Sequence, residues 1–366
     1  MSPAPCLVHV MGWRSQQYGS FERFLVALAA RCTQLGANVH LVFQAQPASA
    51  RFAEDVRAGL HVVPPARLPG DPLYAVRLAR LLRAVGATHL HAHFGVDAYT
   101  ALAVARALGI RRRFATKHIT PGPHCRRHRW LARQVEVNFA VSRWVADHLR
   151  RCGVPEDRLE VVYIGVEPTA YHPDPAQRSR VRTELGIGDG TRIVLSTSHL
   201  RPGKGVEVLP ELAAGLAADP DDVTVLVAGD GPLRPALAQI ARRRGLAPDR
   251  FRLLGVRDDV PTLLAAADLF VFPTTGAEGM PLGVLEALAT GVPVVASDVA
   301  DNRLLADGAA VVPAGDYDAL LSEARRLLTD PVAAAALVEH GRRLVAERFT
   351  LRAAIEAHVR LYFGER

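Results

Sequence analysis

Two glutamates eight residues apart give the clearest chemical signal in the chain. Glu278 and Glu286 stand in EGMPLGVLEALATGVPVVAS, with Pro281 between them and an apolar helical run following. Proline suits the first position of a helix, so we expect the amides of Leu282 and Gly283 at a helix start that favours a phosphate. Carboxylates on either side are suited to bind the hydroxyl groups of a polyol. The spacing therefore predicts a ligand made of a sugar, a diphosphate and a ribose.

Strand-like and helix-like runs must position these groups, and they alternate along most of the 366 residues. Such alternation predicts an α/β protein whose parallel sheets carry helices on both faces. The rhythm breaks in residues 164–179, which we interpret as a linker rich in proline. We expect two doubly wound, Rossmann-like domains at residues 1–168 and 169–350 that face a cleft, followed by a helix at 351–366 that packs back on the first domain.

Composition excludes several classes of protein. Hydrophobic residues make up 49% and charged residues 22%, which is typical of a folded chain, and no apolar run is long enough to span a bilayer. We see no signal peptide, so we expect a cytoplasmic protein. The four cysteines, Cys6, Cys32, Cys125 and Cys152, are scattered without a CxxC pair. We therefore expect reduced thiols and no zinc site.

Positive charge is concentrated in the first half of the chain. Residues 1–170 hold 22 Lys/Arg against 11 Asp/Glu, whereas the remainder is net acidic. Two clusters stand out, Arg111–Arg113 and the group Arg126, Arg127 and Arg129. They predict either an anionic acceptor, with association at the inner face of an acidic membrane, or simply a solvated face. Nucleic acid is disfavoured because aromatic residues hardly interleave with these arginines.

Several ordered segments along the chain resemble the retaining GT-B glycosyltransferases of family 4. EGMPLGVLEALATGVPVVAS resembles their E-x7-E signature, and SHLRPGKG resembles their donor-phosphate loop. VAGDGPL, LLGVRDDV and AADLFVFPT follow in the family's order. AVSRWVADHL and then VVYIGVEPTAYHP resemble the end of the first domain, which the family usually writes as pNGvD…F.P. The resemblance covers nearly the whole chain.

The resemblance implies roles for residues of the second domain. Lys204 would bind the donor diphosphate, together with backbone amides from Met280 to Leu282, and Glu286 would bind the nucleotide ribose. Glu278 would contact the donor sugar at the reacting face, and the base would lie near Arg257. It also implies transfer with retention, from a UDP-sugar or a GDP-sugar, and of the two we favour UDP-sugars.

No metal or other cofactor is expected, because Lys204 and the helix start would oppose the charge of the leaving diphosphate. The acidic stretch DPDD at 219–222 reads as an exposed loop between a helix and a strand, not as a metal-binding motif. VAGDGPL lacks the third glycine of a dinucleotide fingerprint, since Arg234 stands there, and this disfavours an NAD-dependent oxidoreductase.

In the first domain the resemblance implies that Gly19 approaches the donor phosphate and that His118 positions the acceptor and the donor sugar. Ser20 replaces the second glycine of the family's loop, which weakens the case for a close backbone approach there. THLHAHF holds three alternating histidines, His89, His91 and His93. The triplet could form a metal site, but for His91 and His93 we favour a structural role at the edge of the sheet.

One departure from the family concerns the diphosphate. His199 stands where relatives carry an arginine, and an unperturbed histidine is largely neutral at pH 7. Either His199 binds the diphosphate or Arg201, two residues on, takes that role.

Two other functions share this architecture. A nucleotide-sugar 2-epimerase would lack the ordered family-4 segments, and a non-catalytic homologue would have lost Glu278, Lys204 or His118, which are all present. We therefore expect a hexosyltransferase that acts on an acceptor hydroxyl.

Overall fold

Residue contacts divide the chain into two units in the computed structural model. The model describes residues 4–12, 18–56, 58–68, 70–93, 97–119, 125–217 and 222–364. One unit is formed by residues 1–164 together with 351–366, and the other by residues 165–350. Most of DPDD, at 219–221, lies outside the described residues.

The first unit contains a parallel sheet of seven described strands in the order β3-β2-β1-β4-β5-β6-β7. The strands are β1 (Cys6–Met11), β2 (Asn38–Phe43), β3 (Gly59–Val62), β4 (His89–His93), β5 (Arg112–Lys117), β6 (Val137–Ala140) and β7 (Leu159–Val161). The helices between them are α1 (Ser20–Gln34), α2 (Ala50–Asp55), α3 (Pro72–Ala84), α4 (Asp97–Ala107), α5 (Cys125–Gln134) and α6 (Arg143–Arg151). Every residue of β1 and β4 is buried because both faces of the sheet are covered.

The second unit holds a parallel sheet of six described strands in the order β10-β9-β8-β11-β12-β13. Its strands are β8 (Arg192–Thr197), β9 (Val223–Ala228), β10 (Phe251–Gly255), β11 (Leu269–Phe272), β12 (Val294–Ser297) and β13 (Ala310–Val312). Its helices are α7 (Pro175–Leu185), α8 (Leu209–Leu216), α9 (Arg234–Arg243), α10 (Val260–Ala266), α11 (Leu282–Thr290), α12 (Tyr317–Thr329) and α13 (Pro331–Arg348). The predicted α/β fold with two doubly wound parallel sheets is confirmed.

Two details of the sequence-based prediction were wrong. The proline-rich segment is a linker only as far as Asp174, whose carboxylate caps α7, and Pro175 then begins that helix. Proline is favourable at a helix start because its missing N–H has no partner there anyway. The edge strand β13 was also missed, since its three residues are too few to show a periodic pattern.

The last helix, α14 (Leu351–Phe363), belongs to the first unit. His358 stacks on Phe139 with ring centroids 4.3 Å apart, and Tyr362 meets Phe114 edge to face at 4.9 Å. Tyr362 is fully buried. The helix thus completes the core beside β5 and β6.

Candidate active site

The two predicted donor loops leave neighbouring strands where the strand order reverses. SHLRPGKG follows β8, and the loop with Glu278 follows β11, which pairs with β8 in parallel. Parallel strands end at the same edge of the sheet, and ligands of open α/β sheets bind where the order reverses. The fold of the second unit therefore brings both loops to a favourable binding position.

Glycines let these loops pack against each other. Gly205 has φ of +63°, and a Cβ there would overlap the carbonyl of Pro273. The carbonyl of Gly203 accepts hydrogen bonds from the amides of Thr275 at 3.0 Å and Gly276 at 2.7 Å. The PGKG loop is thus held against the segment that leads to Glu278.

Lys204 and Glu278 form an ion pair across these loops. Lys204 Nζ donates to Glu278 Oε1, and only 16% and 9% of the respective side chains are exposed. A mostly buried carboxylate needs such a partner, because desolvation of an isolated charge is costly. Two residues with separate predicted roles are therefore in direct contact.

The start of α11 differs from the expectation. Pro281 precedes the helix as its N-cap residue, and the Leu282 N–H donates to the carbonyl of Met280 at 2.9 Å. The prediction that this amide is open was therefore wrong. A Cβ on Gly283 would meet Thr197 Oγ1 at 3.3 Å and Phe270 Cζ at 3.4 Å, so this glycine also lets α11 pack closely on the sheet.

Glu286 has a partner that the sequence-based prediction missed. Tyr171, three residues before α7's cap, donates its hydroxyl to Glu286 Oε1 at 2.9 Å. Both residues are buried, at 3% and 4% exposure. The only available signal was Tyr171 in the position where the family pattern has phenylalanine.

The loop after β8 also carries His199 and Arg201, and both are exposed. Desolvation, followed by the charges of Arg201 and Lys204, lowers the pKa of His199, while Asp230 opposes the shift. The His199 imidazole is therefore neutral at pH 7. A Cβ on Gly231 would come within 3.0 Å of His199 Nδ1, so the glycine of VAGDGPL makes room for this loop.

Arg257, the residue predicted to lie near the base, follows β10. Its guanidinium binds Asp259 through two nitrogens, each at 2.7 Å, and Glu184 through a third at 2.9 Å. The hydrogen bonds to Asp259 and Glu184 raise its pKa. All three guanidinium nitrogens bind carboxylates, so only the flat face of the group is left for the nucleotide base. That contact stays a prediction.

In the first unit, a row of hydrogen-bonded imidazoles ends at His118. His9 Nδ1 lies 3.1 Å from His93 Nε2, and His93 Nδ1 lies 3.1 Å from His118 Nε2. Burial lowers the pKa of all three, that of His9 to about 3. Each neutral ring donates through one nitrogen and accepts through the other, so the tautomers are coupled along the row. His118 is thus held as a neutral imidazole.

His9, His91 and His93 lie close enough to share a metal ion, but His91 already uses both ring nitrogens. Its Nδ1 pairs with the Tyr362 hydroxyl, and its Nε2 lies 2.7 Å from Thr116 Oγ1. The structure therefore favours a hydrogen-bonded network. His91 and His93 lie on β4, between β1 and β5, and His93 is the last residue of that strand.

The loop with Gly19, which the resemblance predicts to approach the donor phosphate, caps α1. Gly19 precedes this helix, and its N–H donates to Glu22 Oε2 at 3.2 Å. Phe21 meets the His118 ring edge to face, with centroids 4.8 Å apart. The structure thus brings this loop beside His118.

The expectation of four reduced cysteines was wrong. Cys125 and Cys152 form a disulfide with Cα atoms 4.6 Å apart, and Cys6 and Cys32 are free and buried. The pairing joins the start of α5 to the residue after α6, which a separation of 27 residues conceals. His148 Nε2 lies 3.5 Å from Cys152 Sγ, but both sulfur atoms are bonded to each other and are not thiolate ligands here.

A cavity of about 410 Å³ lies beside α4 and α5. It is lined by Gly70, Tyr99, Thr100, Ala103, Arg126, Arg127 and Trp130. Lys117 Nζ lies 5.8 Å from the centre of the Tyr99 ring, and burial lowers its pKa to about 8. Arg129 instead lies against Gly153. Two of the three predicted arginines therefore share an aromatic cavity.

The Arg111–Arg113 cluster does not form one anion site. Arg112 donates to the carbonyls of Leu361 and Tyr362, both at 2.9 Å, and pairs with Glu136. Arg113 donates to the Gln134 carbonyl at 2.6 Å. These two arginines lie at the start of β5, whereas His118 follows its carboxyl end. Both guanidinium groups are engaged by groups of the protein.

Comparisons with known proteins agree with this architecture. Residues 191–330 match the family model described as Glycosyl transferases group 1, and residues 21–170 match Glycosyltransferase Family 4. A GDP-mannose-dependent alpha-(1-6)-phosphatidylinositol monomannoside mannosyltransferase of Mycolicibacterium smegmatis is 32% identical over 309 residues, which cover 78% of this chain and 79% of the relative. Alpha-D-kanosaminyltransferase of Streptomyces kanamyceticus is 28% identical over 311 residues, again 78% and 79%.

Solved structures show the same fold. Anabaena HepE in complex with UDP and glucose superposes with a TM-score of 0.84 at 22% identity, over 97% of this chain and 98% of that one. WaaG, a glycosyltransferase involved in lipopolysaccharide biosynthesis, gives 0.76 at 17% identity, over 98% and 100%. The chain belongs to the GT-B glycosyltransferases, and the prediction of a glycosyltransferase is confirmed. Among the described residues, no helix combines the length and apolar character needed to cross a membrane.

Proposed function

We propose that the protein transfers a hexose from a nucleotide-diphosphate sugar to an acceptor hydroxyl, with retention of configuration. The observation that carries the proposal is the Lys204–Glu278 ion pair beside α11, on adjacent loops at the reversal of strand order. It places a cation and a carboxylate together where α/β folds bind nucleotides. The epimerase and non-catalytic alternatives gain no support from the relatives, which are transferases.

In this proposal donor binding redistributes the ion pair. The diphosphate takes Lys204 as its counter-charge, which frees Glu278 to accept hydrogen bonds from hydroxyls of the donor sugar. The charge that develops on the leaving diphosphate is then opposed by Lys204 and the start of α11, without a metal ion. The acceptor hydroxyl attacks the same face of the sugar that the leaving group departs from, and gives its proton to the diphosphate. We also propose neutral His118 as a hydrogen-bonding partner for the sugar.

The donor stays a prediction, with UDP-sugars and GDP-sugars both to be tested. HepE was solved with UDP, while the mycobacterial relative is named for GDP-mannose. We therefore propose incubating the protein separately with UDP-glucose and GDP-mannose and measuring both nucleotide release and the sugar product by mass spectrometry. Glycosylated acceptor supports transfer, and loss of product in Glu278→Gln supports the site. Free epimerised sugar, or no turnover with any nucleotide sugar, would overturn the proposal.

We further propose an anionic amphiphile as acceptor, bound in the cavity that Arg126, Arg127 and Trp130 line, at the cytoplasmic face of an acidic membrane. An aromatic interior with guanidinium groups at its wall suits an apolar chain beside a phosphate. The mycobacterial relative is named for a phosphatidylinositol mannoside, which has this chemistry. Binding to phosphatidylinositol vesicles should weaken in Arg126→Ala/Arg127→Ala and as salt rises, since exposed charges are screened beyond about 8 Å. Arg129→Ala is the matched control, and equal binding by all variants would contradict the assignment.

A further inference from the structure

We infer that Tyr171 is a positioning residue for the nucleotide ribose, acting through Glu286. The inference rests on the proposed function of Glu286 and adds a residue to it. Tyr171 donates its hydroxyl to Glu286 Oε1 at 2.9 Å, and the pair is separated by 115 residues in sequence. Both side chains are buried.

The contact fixes the orientation of the Glu286 carboxylate. A carboxylate has two oxygens, and each accepts more than one hydrogen bond. The hydrogen bond from the Tyr171 hydroxyl to Oε1 restricts rotation of the carboxylate plane. Two vicinal ribose hydroxyls need a carboxylate held in one orientation, so a fixed plane reduces the rotamer entropy lost on binding.

The backbone around Tyr171 is itself fixed by a tight turn. The amides of Ala170 and Tyr171 donate to the carbonyl of Glu167 at 3.0 and 3.2 Å, and Thr169 Oγ1 donates to Glu167 Oε1 at 3.1 Å. On the other side, the Thr290 hydroxyl donates to the carbonyl of Glu286 at 2.8 Å, within α11. Both partners of the contact are therefore anchored.

The hydroxyl group is a feature of this chain rather than of the family pattern. The segment VVYIGVEPTAYHP carries tyrosine where the pattern pNGvD…F.P carries phenylalanine. A phenylalanine fills nearly the same volume, so the ring alone can satisfy the packing. The added hydroxyl is then the part that acts on Glu286, and Tyr171→Phe removes it without leaving a cavity.

The test compares Tyr171→Phe with Tyr317→Phe as a matched control. Tyr317 also lies in the second unit, and its hydroxyl donates to the Glu211 carbonyl at 2.9 Å on α8. The probes are UDP and GDP, together with their 2′,3′-dideoxy counterparts, titrated calorimetrically. Thermal unfolding of each variant reports whether the fold is intact.

We expect Tyr171→Phe to weaken binding of the ribonucleotide by about tenfold, in the range of one hydrogen bond to a charged group. Binding of the dideoxy nucleotide should be unchanged, and Tyr317→Phe should alter neither. In turnover, donor KM should rise while kcat stays near wild type. Glu286→Gln combined with Tyr171→Phe should lose less than the product of the two single effects.

Three outcomes would overturn the inference and leave the proposed role of Glu286 in place. The first is unchanged ribonucleotide binding in Tyr171→Phe while Glu286→Gln weakens it. The second is equal weakening for ribose and dideoxyribose, which would mark a general structural role. The third is additivity in the double variant. If wild type binds UDP or GDP but Glu286→Gln has no effect, the proposed role of Glu286 fails, and this inference fails with it.

Discussion

Lys204 Nζ donates to Glu278 Oε1, although 74 residues separate the two in sequence. The contact links the loop after β8 to the loop after β11 and leaves the carboxylate almost inaccessible. Because each partner neutralises the other in a place of low solvent access, a change to either one should lower both the stability of the protein and its transfer activity.

We expect Lys204→Met to lower the free energy of unfolding by on the order of 3 kcal/mol, because it leaves the Glu278 carboxylate buried without its cation. Lys204→Met/Glu278→Gln should recover most of that loss, since no charge is then left unpaired. Urea unfolding of wild type, Lys204→Met, Glu278→Gln and the double variant gives the coupling energy. Additive losses would show that the ion pair contributes little.

Glu278→Ala and Glu286→Ala should separate sugar chemistry from nucleotide binding. Glu286→Ala is expected to weaken binding of the nucleoside diphosphate about tenfold or more, through loss of the ribose contact. Glu278→Ala should abolish transfer while the nucleoside diphosphate binds nearly as in wild type. Calorimetric titration with UDP and GDP measures both effects. Equal loss of affinity in the two variants would contradict the division of roles.

Donor affinity should depend on pH if His199 binds the diphosphate. The pKa of His199 is lowered in the free protein, and a bound diphosphate would raise it. Binding therefore takes up a proton, and affinity should improve as pH falls from about 8 to 6. His199→Arg should flatten this dependence and retain activity. A flat profile in wild type, with a silent His199→Ala and a damaging Arg201→Ala, would assign the role to Arg201.

Acid should destabilise the first unit through its buried histidines. The pKa of His9 is lowered to about 3 and that of His358 to about 4, both chiefly by burial. Below about pH 6.5 these histidines are protonated in the unfolded chain but stay neutral in the folded one. The free energy of unfolding therefore falls as pH falls, until the pKa of the folded state is reached.

Each such histidine should contribute about 1.4 kcal/mol per pH unit below that point. Urea unfolding between pH 7.5 and 4.5 measures the slope. His358→Phe, which keeps a ring beside Phe139, should reduce the slope by about one histidine's share. A flat stability profile over this range would contradict the prediction.

Thiol titration tests the disulfide. The denatured, unreduced protein should react at two thiols, Cys6 and Cys32, and the reduced protein at four. Reduction should lower the free energy of unfolding by about 3–4 kcal/mol, the entropy expected for a closed loop of this length. Cys152→Ser should show the same loss without reductant, and Cys32→Ser should keep the disulfide. Four reactive thiols in the unreduced protein, purified without reductant, would show that the bond does not form.

The sequence could predict the position of groups that follow directly on a buried strand. Lys204 and Glu278 belong to contiguous motifs that follow buried strands, so strand order alone could bring them to one edge. Tyr171 and His9 were missed because their contacts depend on long-range geometry. His9 reaches His93 only through the register of β1 on β4, in which His9 pairs with His91.

The same limit explains the errors on the arginines and cysteines. Arg112 looked like a free cation in a basic run, but α14 supplies carbonyls to it from 249 and 250 residues away. The disulfide likewise depends on how α5 and α6 pack, which no local pattern records. Periodicity predicts elements, whereas the partner of each polar side chain is decided by packing.

The placement of α14 has a consequence for synthesis of the chain. Tyr362 completes the partner set of His91, yet the ribosome must translate all of residues 165–350 before it reaches that helix. At about 5–20 residues per second, this delay lasts on the order of ten seconds or longer. During that time the aromatic face around Phe114 and Phe139 emerges uncovered and is open to chaperones. The unit that begins to emerge first from the ribosome is therefore the one whose chain is completed last.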